Sequence, residues 1–400
     1  MNASAIVIGA GPAGLMAAEV LARAEVDVSV LDARRSPGNK FLLAGRSGLN
    51  LSHNEPLDEL VGRYRDPSGL VGAAVRTFPP EAARAWADDL GARTFVGTSG
   101  RIFPEAMRST GLLRSWLARL DQLGVQIVAR SRWLGWDDHG MLRFETADDQ
   151  RNMEAAATVL ALGGASWPRT GSDGGWTATL QAIGIDVNPL VASNCGVTID
   201  WSATMLDRFA GEPVKNIAIA ATPAVEACPA VRGDVVITAS GLEGGPIYAL
   251  GHALRHGAEL RIDLFPDLTT SALSQRLSRR RGGATVTSWL RSAGVSPAAV
   301  ALLRDCTGNR FSEEPGELAA LLRGLPLPAT GLAPIERAIS SAGGVAMDQL
   351  DSNFMIRDLP GVFAAGEMLD WDAPTGGYLL QGCLSTGAAA GRGVVDWLRR

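Results

Sequence analysis

The sequence predicts an α/β protein whose βαβ sheet is assembled from both ends of the chain, with a β-rich insert and a small helical insert between them. Three observations predict it. The chain opens as strand, glycine turn, helix, strand; its final stretch returns to the same α/β character; and the pattern between changes first to short alternating runs and then to helical spacing. The division that follows is 1–187 with 333–400 for the α/β domain, 188–268 for the β-rich insert and 269–332 for the helical insert.

The opening unit reads as a strand over 5–8, a turn over 9–14, a helix over 15–24 and a strand over 26–31. Gly9, Gly11 and Gly14 make G-x-G-x-x-G between the strand and the helix. The absent Cβ atoms permit a tight turn and let a pyrophosphate approach the helix N-terminus, with Pro12 and Ala13 in the turn. Asp32 ends the next strand, between Leu31 and Ala33–Arg34, where a carboxylate can bind ribose hydroxyls. Ala18 keeps the helix close to the sheet. Three turn glycines beside a surface aspartate are the weaker reading. This is the Rossmann signature of a dinucleotide site, and by itself it serves NAD and FAD alike.

A stretch rich in Gly, Ser and Asn follows over 36–54, read as a loop too long for a simple connection and therefore functional. Helical spacing recurs at 80–90 and 110–123, then strands at 125–129 and 156–162, ending in Gly163 and Gly164. Short alternating runs at 197–199, 217–221 and 235–238 mark the β-rich insert. Residues 269–325 are rich in Leu, Ala and Arg and are bounded by Pro326 and Pro328, which gives the helical insert. A strand over 361–365 and a long helix over 378–398 close the chain, and no internal repeat is visible.

Composition narrows the function. The net charge is -5 and, apart from Arg279, Arg280 and Arg281, the basic residues are dispersed, which argues against a nucleic-acid surface. The apolar run 5–8 comes almost at once, without a charged n-region, and no apolar run reaches the ~18 residues of a membrane span. A cytoplasmic protein is expected. Cys195, Cys228, Cys306 and Cys383 show no paired spacing, so no metal site is expected and free buried thiols are the simple reading.

The C-terminal end decides between the dinucleotides. Residues 361–377 read GVFAAGEMLDWDAPTGG, a strand, an acidic loop and a glycine pair that opens the last helix. This arrangement resembles the C-terminal FAD segment of glutathione-reductase-like flavoproteins, and the fold is accordingly expected to be a glutathione-reductase-like, discontinuous FAD-binding Rossmann domain. The resemblance implies that Gly366 and Glu367 approach the ribityl chain and pyrophosphate, with Asp370 nearby. It implies that Gly376, Gly377 and Tyr378 put backbone N–H groups near the flavin pyrimidine ring. A helix N-terminus favours an anionic reduced flavin by ~0.3–1 kcal/mol. Against ~1.4 kcal/mol per 30 mV, that tunes a two-electron potential without setting it. Residues 160–174, LALGGASWPRTGSDG, resemble the chain-crossing segment that passes the adenosine in the same proteins, through Ala161, Leu162, Gly163 and Gly164. Trp133 stands where such proteins place an adenine contact, and a core tryptophan is the competing reading.

With VIGAGPAGL and AGGVAMDQLDS added to these segments, the chain resembles one family over nearly its whole length: the YhiN-like or BaiN-like flavoproteins, also labelled the aminoacetone oxidase family. The resemblance implies FAD, the two inserts and an oxidoreductase, and it extends the cofactor residues to Lys40, Gly45, Arg46, Asn50 and Leu51. Two departures stand out. Where the family carries GGGRCN, this chain reads from Lys40 to Asn50 with Leu49 in place of the cysteine, so a cysteine-dependent step there is not expected. Where the family carries T-H-x-G-L-S-G-P, the histidine and serine positions are Ala239 and Glu243.

Catalytic candidates are few. His53 follows the Asn50 segment, and an imidazole there can exchange a proton near neutrality, although a surface loop histidine is commoner. Glu243, flanked by Gly241, Gly244 and Gly245, is a candidate general base or a solvated turn residue. Arg46 can steady the pyrophosphate or the flavin edge, or lie on the surface. His252 and His256 share a helix face without an evident third ligand. The expectation is an FAD-dependent oxidoreductase that takes a small organic substrate by hydride transfer at flavin N5, with NAD(P)H or O2 only as transient partners. An RNA-modifying flavoprotein and a protein with a purely structural flavin are the alternatives.

Overall fold

The computed structural model describes residues 4–45, 48–147, 149–222 and 230–400. The chain packs as two units, 1–191 with 340–400, and 192–339.

The first unit is built on a five-stranded parallel sheet in the order Val362–Ala364, Ala157–Leu160, Ser4–Ile8, Asp27–Leu31, Gln126–Val128. Ile8 is in register with both Leu31 and Leu160, and Leu160 with Ala364, so the carboxyl ends of the strands finish level and open one crevice. The central strand buries Ala5, Ile6, Val7 and Ile8 and so is apolar on both faces, as a sheet covered by helices requires. Helix Pro12–Arg23 starts on Gly11 with proline in its first turn, and helix Tyr378–Leu398 starts on Gly377. The two helices lie close because small residues face one another: a Cβ on Gly391 would stand 3.0 Å from the Ala17 carbonyl oxygen. Glu19, 3% exposed on the first helix, is a buried charge held by Trp86 Nε1 at 3.1 Å, Trp116 Nε1 at 2.7 Å and Arg119 at 3.2 Å.

The stretch 36–54 is not the single loop read from its composition. Gly38, at φ +69°, starts a helix at Asn39–Ala44 that buries Phe41, and Ser52–His53 is a strand. That strand pairs with Arg101–Pro104, which pairs in turn with Thr94–Val96, all antiparallel. Polar loop composition hid a short helix anchored by one phenylalanine and a strand whose partner lies some fifty residues on, a distance no local pattern spans.

The second unit carries a seven-stranded sheet with antiparallel pairings throughout its described ladders. Helices Thr270–Leu277, Val286–Ser292, Pro297–Cys306 and Pro315–Leu322 are capped by the side chains of Thr269, Thr285, Ser296 and Glu314. Their Leu273, Trp289, Leu302 and Leu318 join the same buried cluster as Ile219, Ile237 and Ile262. The helices are also bracketed within one sheet: Leu325–Pro326 pairs with Arg261 and Ile262, and Ala329–Leu332 pairs with Val197–Ile199. The 269–332 stretch thus shares the core of the β-rich segment, because four helices this short cannot bury a core of their own.

Candidate functional site

The crevice at the carboxyl ends of the parallel strands widens into a cleft of about 840 Å3 open to solvent. It is lined by the 8–13 turn, by Leu31–Asp32–Ala33, by the 161–163 turn and by Ala365–Gly366–Glu367. The glycines divide the labour. Gly9 sits at φ +106°, and a Cβ there would run into the Ala161 carbonyl. A Cβ on Gly14 would run into the Gly9 carbonyl, whereas one on Gly11 meets no protein atom within 4 Å and points into open space.

Asp32 Oδ2 accepts the Ala10 N–H and Oδ1 accepts the Arg34 N–H, both at 2.7 Å. Burial raises its carboxyl above the ordinary range, and the two amides oppose that rise. Each oxygen keeps lone-pair capacity for a diol. The Arg34 guanidinium turns away to the Pro168 carbonyl. Across the cleft, Lys40 Nζ donates to Glu367 Oε2 and Ser166 Oγ, each at 2.6 Å, and Glu367 Oε1 accepts the Ser341 N–H at 2.9 Å. Ser341 Oγ in turn takes the Ala165 N–H at 3.1 Å, so one network ties the helix that carries Lys40, the 161–166 turn and the C-terminal segment. Trp133 lines the cleft, 8% exposed, and its buried Nε1–H has no hydrogen-bond partner among the described residues. Cys383 also lines it, and burial followed by the nearby Glu367 charge pushes its thiol up to about 12, which keeps it protonated.

A second polar group lies where the closing helix begins. Gly376 and Gly377 take φ +120° and +107°, and a Cβ on Gly377 would press against the Ser52 backbone. Tyr378 OH donates to Glu55 Oε1 at 2.7 Å, Glu55 pairs with Arg63 at 2.9 Å, and Tyr64 OH donates to the Tyr378 carbonyl at 2.8 Å. Burial pushes the Glu55 carboxyl up, but the hydrogen bonds from Arg63 and Tyr378 outweigh it and hold it below its ordinary range. Burial, then Glu55, raises Tyr378. The His53 ring stacks on Tyr378 at 5.3 Å. Three buried polar atoms in this neighbourhood, Asn50 Oδ1, Ser52 Oγ and His53 Nδ1, have no hydrogen-bond partner among the described residues.

The other sequence candidates have the following surroundings. Arg46 lies outside the described residues. Gly45 packs on Ser109 and Gly164 on Ser341, positions a Cβ would fill. Asp370 is spent on Asn188 Nδ2 at 2.6 Å, and Leu51 is a fully buried core residue. Glu243, read as part of a glycine turn, ends the strand Gly241–Glu243 in the second unit, half-buried, 3.8 Å from Arg337. His252 and His256 contact each other at 4.4 Å, and among the described residues no cluster of His, Cys, Asp or Glu is arranged to hold a metal. Glu55, Ser341 and Arg101 escaped the sequence reading because none belongs to a motif, and Ser166 escaped it although it lies within the 160–174 segment, because nothing local shows that it meets Lys40.

A glycine cradle facing open space, a carboxylate with free lone pairs at one end, an orphaned indole N–H in the wall and a Lys–Glu pair in mid-cleft fit an extended dinucleotide. The second glycine turn, with its orphaned polar atoms, suits a further ring system. Together the fold and site define an FAD-dependent oxidoreductase of the Rossmann type. Comparison with known proteins agrees. The chain belongs to the HI0933-like family: the family model described as HI0933-like protein Rossmann domain matches residues 3–393. A 3-dehydro-bile acid delta(4,6)-reductase of Clostridium scindens is 25% identical over 98% of both chains. Among solved structures, the open conformation of a flavocytochrome c3 fumarate reductase superposes with TM-score 0.53 at 16% identity, over 100% of this chain and 79% of that one. Mycobacterium smegmatis Sdh1 in complex with UQ1 gives TM-score 0.51 at 15% identity, over 100% and 69%. At these identities the two structures speak for the fold. Among the described residues, no helix is long and apolar enough to cross a membrane.

Proposed function

We propose that the protein is a reductase of a small organic molecule, with hydride transfer at flavin N5. The observation that carries this reading is the glycine turn that opens the closing helix, packed on the Ser52 backbone in a stretch where buried atoms of Asn50, Ser52 and His53 have no partner among the described residues. Bound FAD supplies the hydride chemistry. The chain's own residues do the rest. The Gly9–Gly14 turn and helix Pro12–Arg23 hold the pyrophosphate, Asp32 the adenosine ribose, and Lys40 with Glu367 the middle of the cofactor. The amides at the N-terminus of helix Tyr378–Leu398 favour negative charge on the ring system.

His53 is the group suited to hold a proton. Its Nε2 lies 3.0 Å from the Ser99 carbonyl, which only accepts, so Nε2 carries the hydrogen and the buried, unpartnered Nδ1 keeps its lone pair in the neutral ring. Glu55 and Tyr378 fix the plane against which that ring stacks. The direction of reduction, and a conjugated ring compound as the molecule reduced, are suggested by the relative named as a 3-dehydro-bile acid delta(4,6)-reductase. Anaerobic photoreduction of the holoprotein, followed by mixing with a 3-oxo steroid bearing a conjugated C=C bond, tests the proposal. The flavin absorbance should return with formation of the saturated ketone. A reduced flavin indifferent to every conjugated acceptor would assign FAD a structural role instead.

A further inference from the structure

The three-stranded sheet beside the closing helix has a face with no assigned role. Cross-strand partners share a face, as do residues two apart on a strand. His53 pairs with Arg101 and Phe95 with Phe103, so these four side chains stand on one side. Ser52 and Ile102 point the other way and are 0% exposed. On the first side the Phe95 and Phe103 rings stack at 5.7 Å with 27° between planes, and Phe95 remains 40% exposed. Met107, 38% exposed, borders them. Gly48 brings bare backbone to the rim: a Cβ there would lie 3.1 Å from Met107 Cε and 3.7 Å from Phe103 Cε1.

Arg101 ends this aromatic platform at the glycine turn, its Nε 3.5 Å from where a Cβ of Gly376 would be. The guanidinium is half-buried, and no described residue gives it a hydrogen bond or ion pair. Glu55, the carboxylate of this neighbourhood, is already committed to Arg63 and Tyr378. The adjacent helix N-terminus adds further positive potential. An arginine so placed calls for an anion, and its planar fork matches the oxygens of a carboxylate or enolate.

We propose that this face is the floor of the substrate site, and that it takes a ring-bearing apolar molecule with an anionic or anion-forming oxygen. The rings lie on Phe103 and Phe95, and the oxygen lies on Arg101. This rests on the reductase reading above and adds its substrate class.

The test measures binding to purified holoprotein by equilibrium dialysis, with two probes that share a ring system: naphthoate and the neutral naphthalenemethanol. Wild type should bind naphthoate roughly tenfold or more tightly than the alcohol, the scale of one charge-assisted contact. R101Q should abolish that preference while leaving the alcohol's affinity unchanged. R101K should recover part of it, because the charge remains but the fork is lost. F103A should weaken both probes alike, by roughly fivefold. An unchanged naphthoate preference in R101Q overturns the proposal; so does wild-type protein that binds neither probe, and so does an R101Q effect confined to the flavin midpoint potential, which would give the guanidinium to the cofactor. Naphthoate offers no conjugated ketone to reduce, so failure here leaves the reoxidation result standing, and failure of reoxidation leaves this binding pattern intact.

Discussion

Gly11 is the residue at which binding and folding separate. Its φ of -83° and ψ of -179° suit any residue that precedes proline, and its Cβ direction is open, so Gly11→Val should fold with nearly unchanged stability. The added side chain would instead occupy the cradle, and the variant should purify without flavin. Gly14→Ala should behave in the opposite way, colliding with the Gly9 carbonyl at a cost of roughly 1–3 kcal/mol. Thermal melts of the two proteins, each paired with the flavin-to-protein absorbance ratio, check this; a yellow Gly11→Val protein would reduce the segment to a turn. That a Cβ on Gly9 would meet the Ala161 carbonyl, some 150 residues away, was not legible in the glycine spacing.

At the scale of elements, the closing helix is fastened at its first residue. Tyr378 is tied by its hydroxyl to Glu55 and by its carbonyl to Tyr64, which anchors the glycine turn on the segment 52–64. Glu55→Gln should cost roughly 1–2 kcal/mol at neutral pH, since one partner, Arg63, is half exposed to solvent. The sign follows from the lowered carboxyl: the stabilisation is complete above the ordinary glutamate range and is lost as pH falls through the lower folded-state value. Denaturant titrations of both proteins from pH 7 downward should therefore converge in acid. A gap that persists at low pH would mean that the carboxylate charge contributes nothing. Helix Tyr378–Leu398 itself was readable to the residue from its glycine pair and apolar spacing, yet its fastening was not, because Glu55 sits in a stretch with no motif.

For the whole molecule, the decisive feature is what fills 192–339. A pyridine-nucleotide domain needs βαβ units and a parallel sheet, whereas the described ladders of this unit are antiparallel and its helices complete one mixed core. NADH and NADPH should accordingly reduce the flavin slowly and with weak saturation, as transient donors. Stopped-flow absorbance at the flavin maximum measures this directly, and rapid, tightly saturating reduction by NADPH would reveal a nucleotide site that this architecture does not suggest.

The sequence by itself determined the Rossmann unit, its return at the C-terminus and the β-rich character of the middle, because strand alternation, helix spacing and glycine turns are local consequences of backbone geometry. The family resemblance implied that Lys40 and Glu367 are cofactor residues, but gave no sign that they touch. Only the tertiary structure decided that 269–332 shares a core with the strands around it, that a strand at 52–53 hides in a polar stretch, that Asp370 accepts a hydrogen bond from Asn188, and that Arg101 stands beside the Gly376 turn with no side-chain partner among the described residues. Each of these depends on contacts between residues far apart in the chain, and a pattern that repeats every two or 3.6 residues carries no information about them.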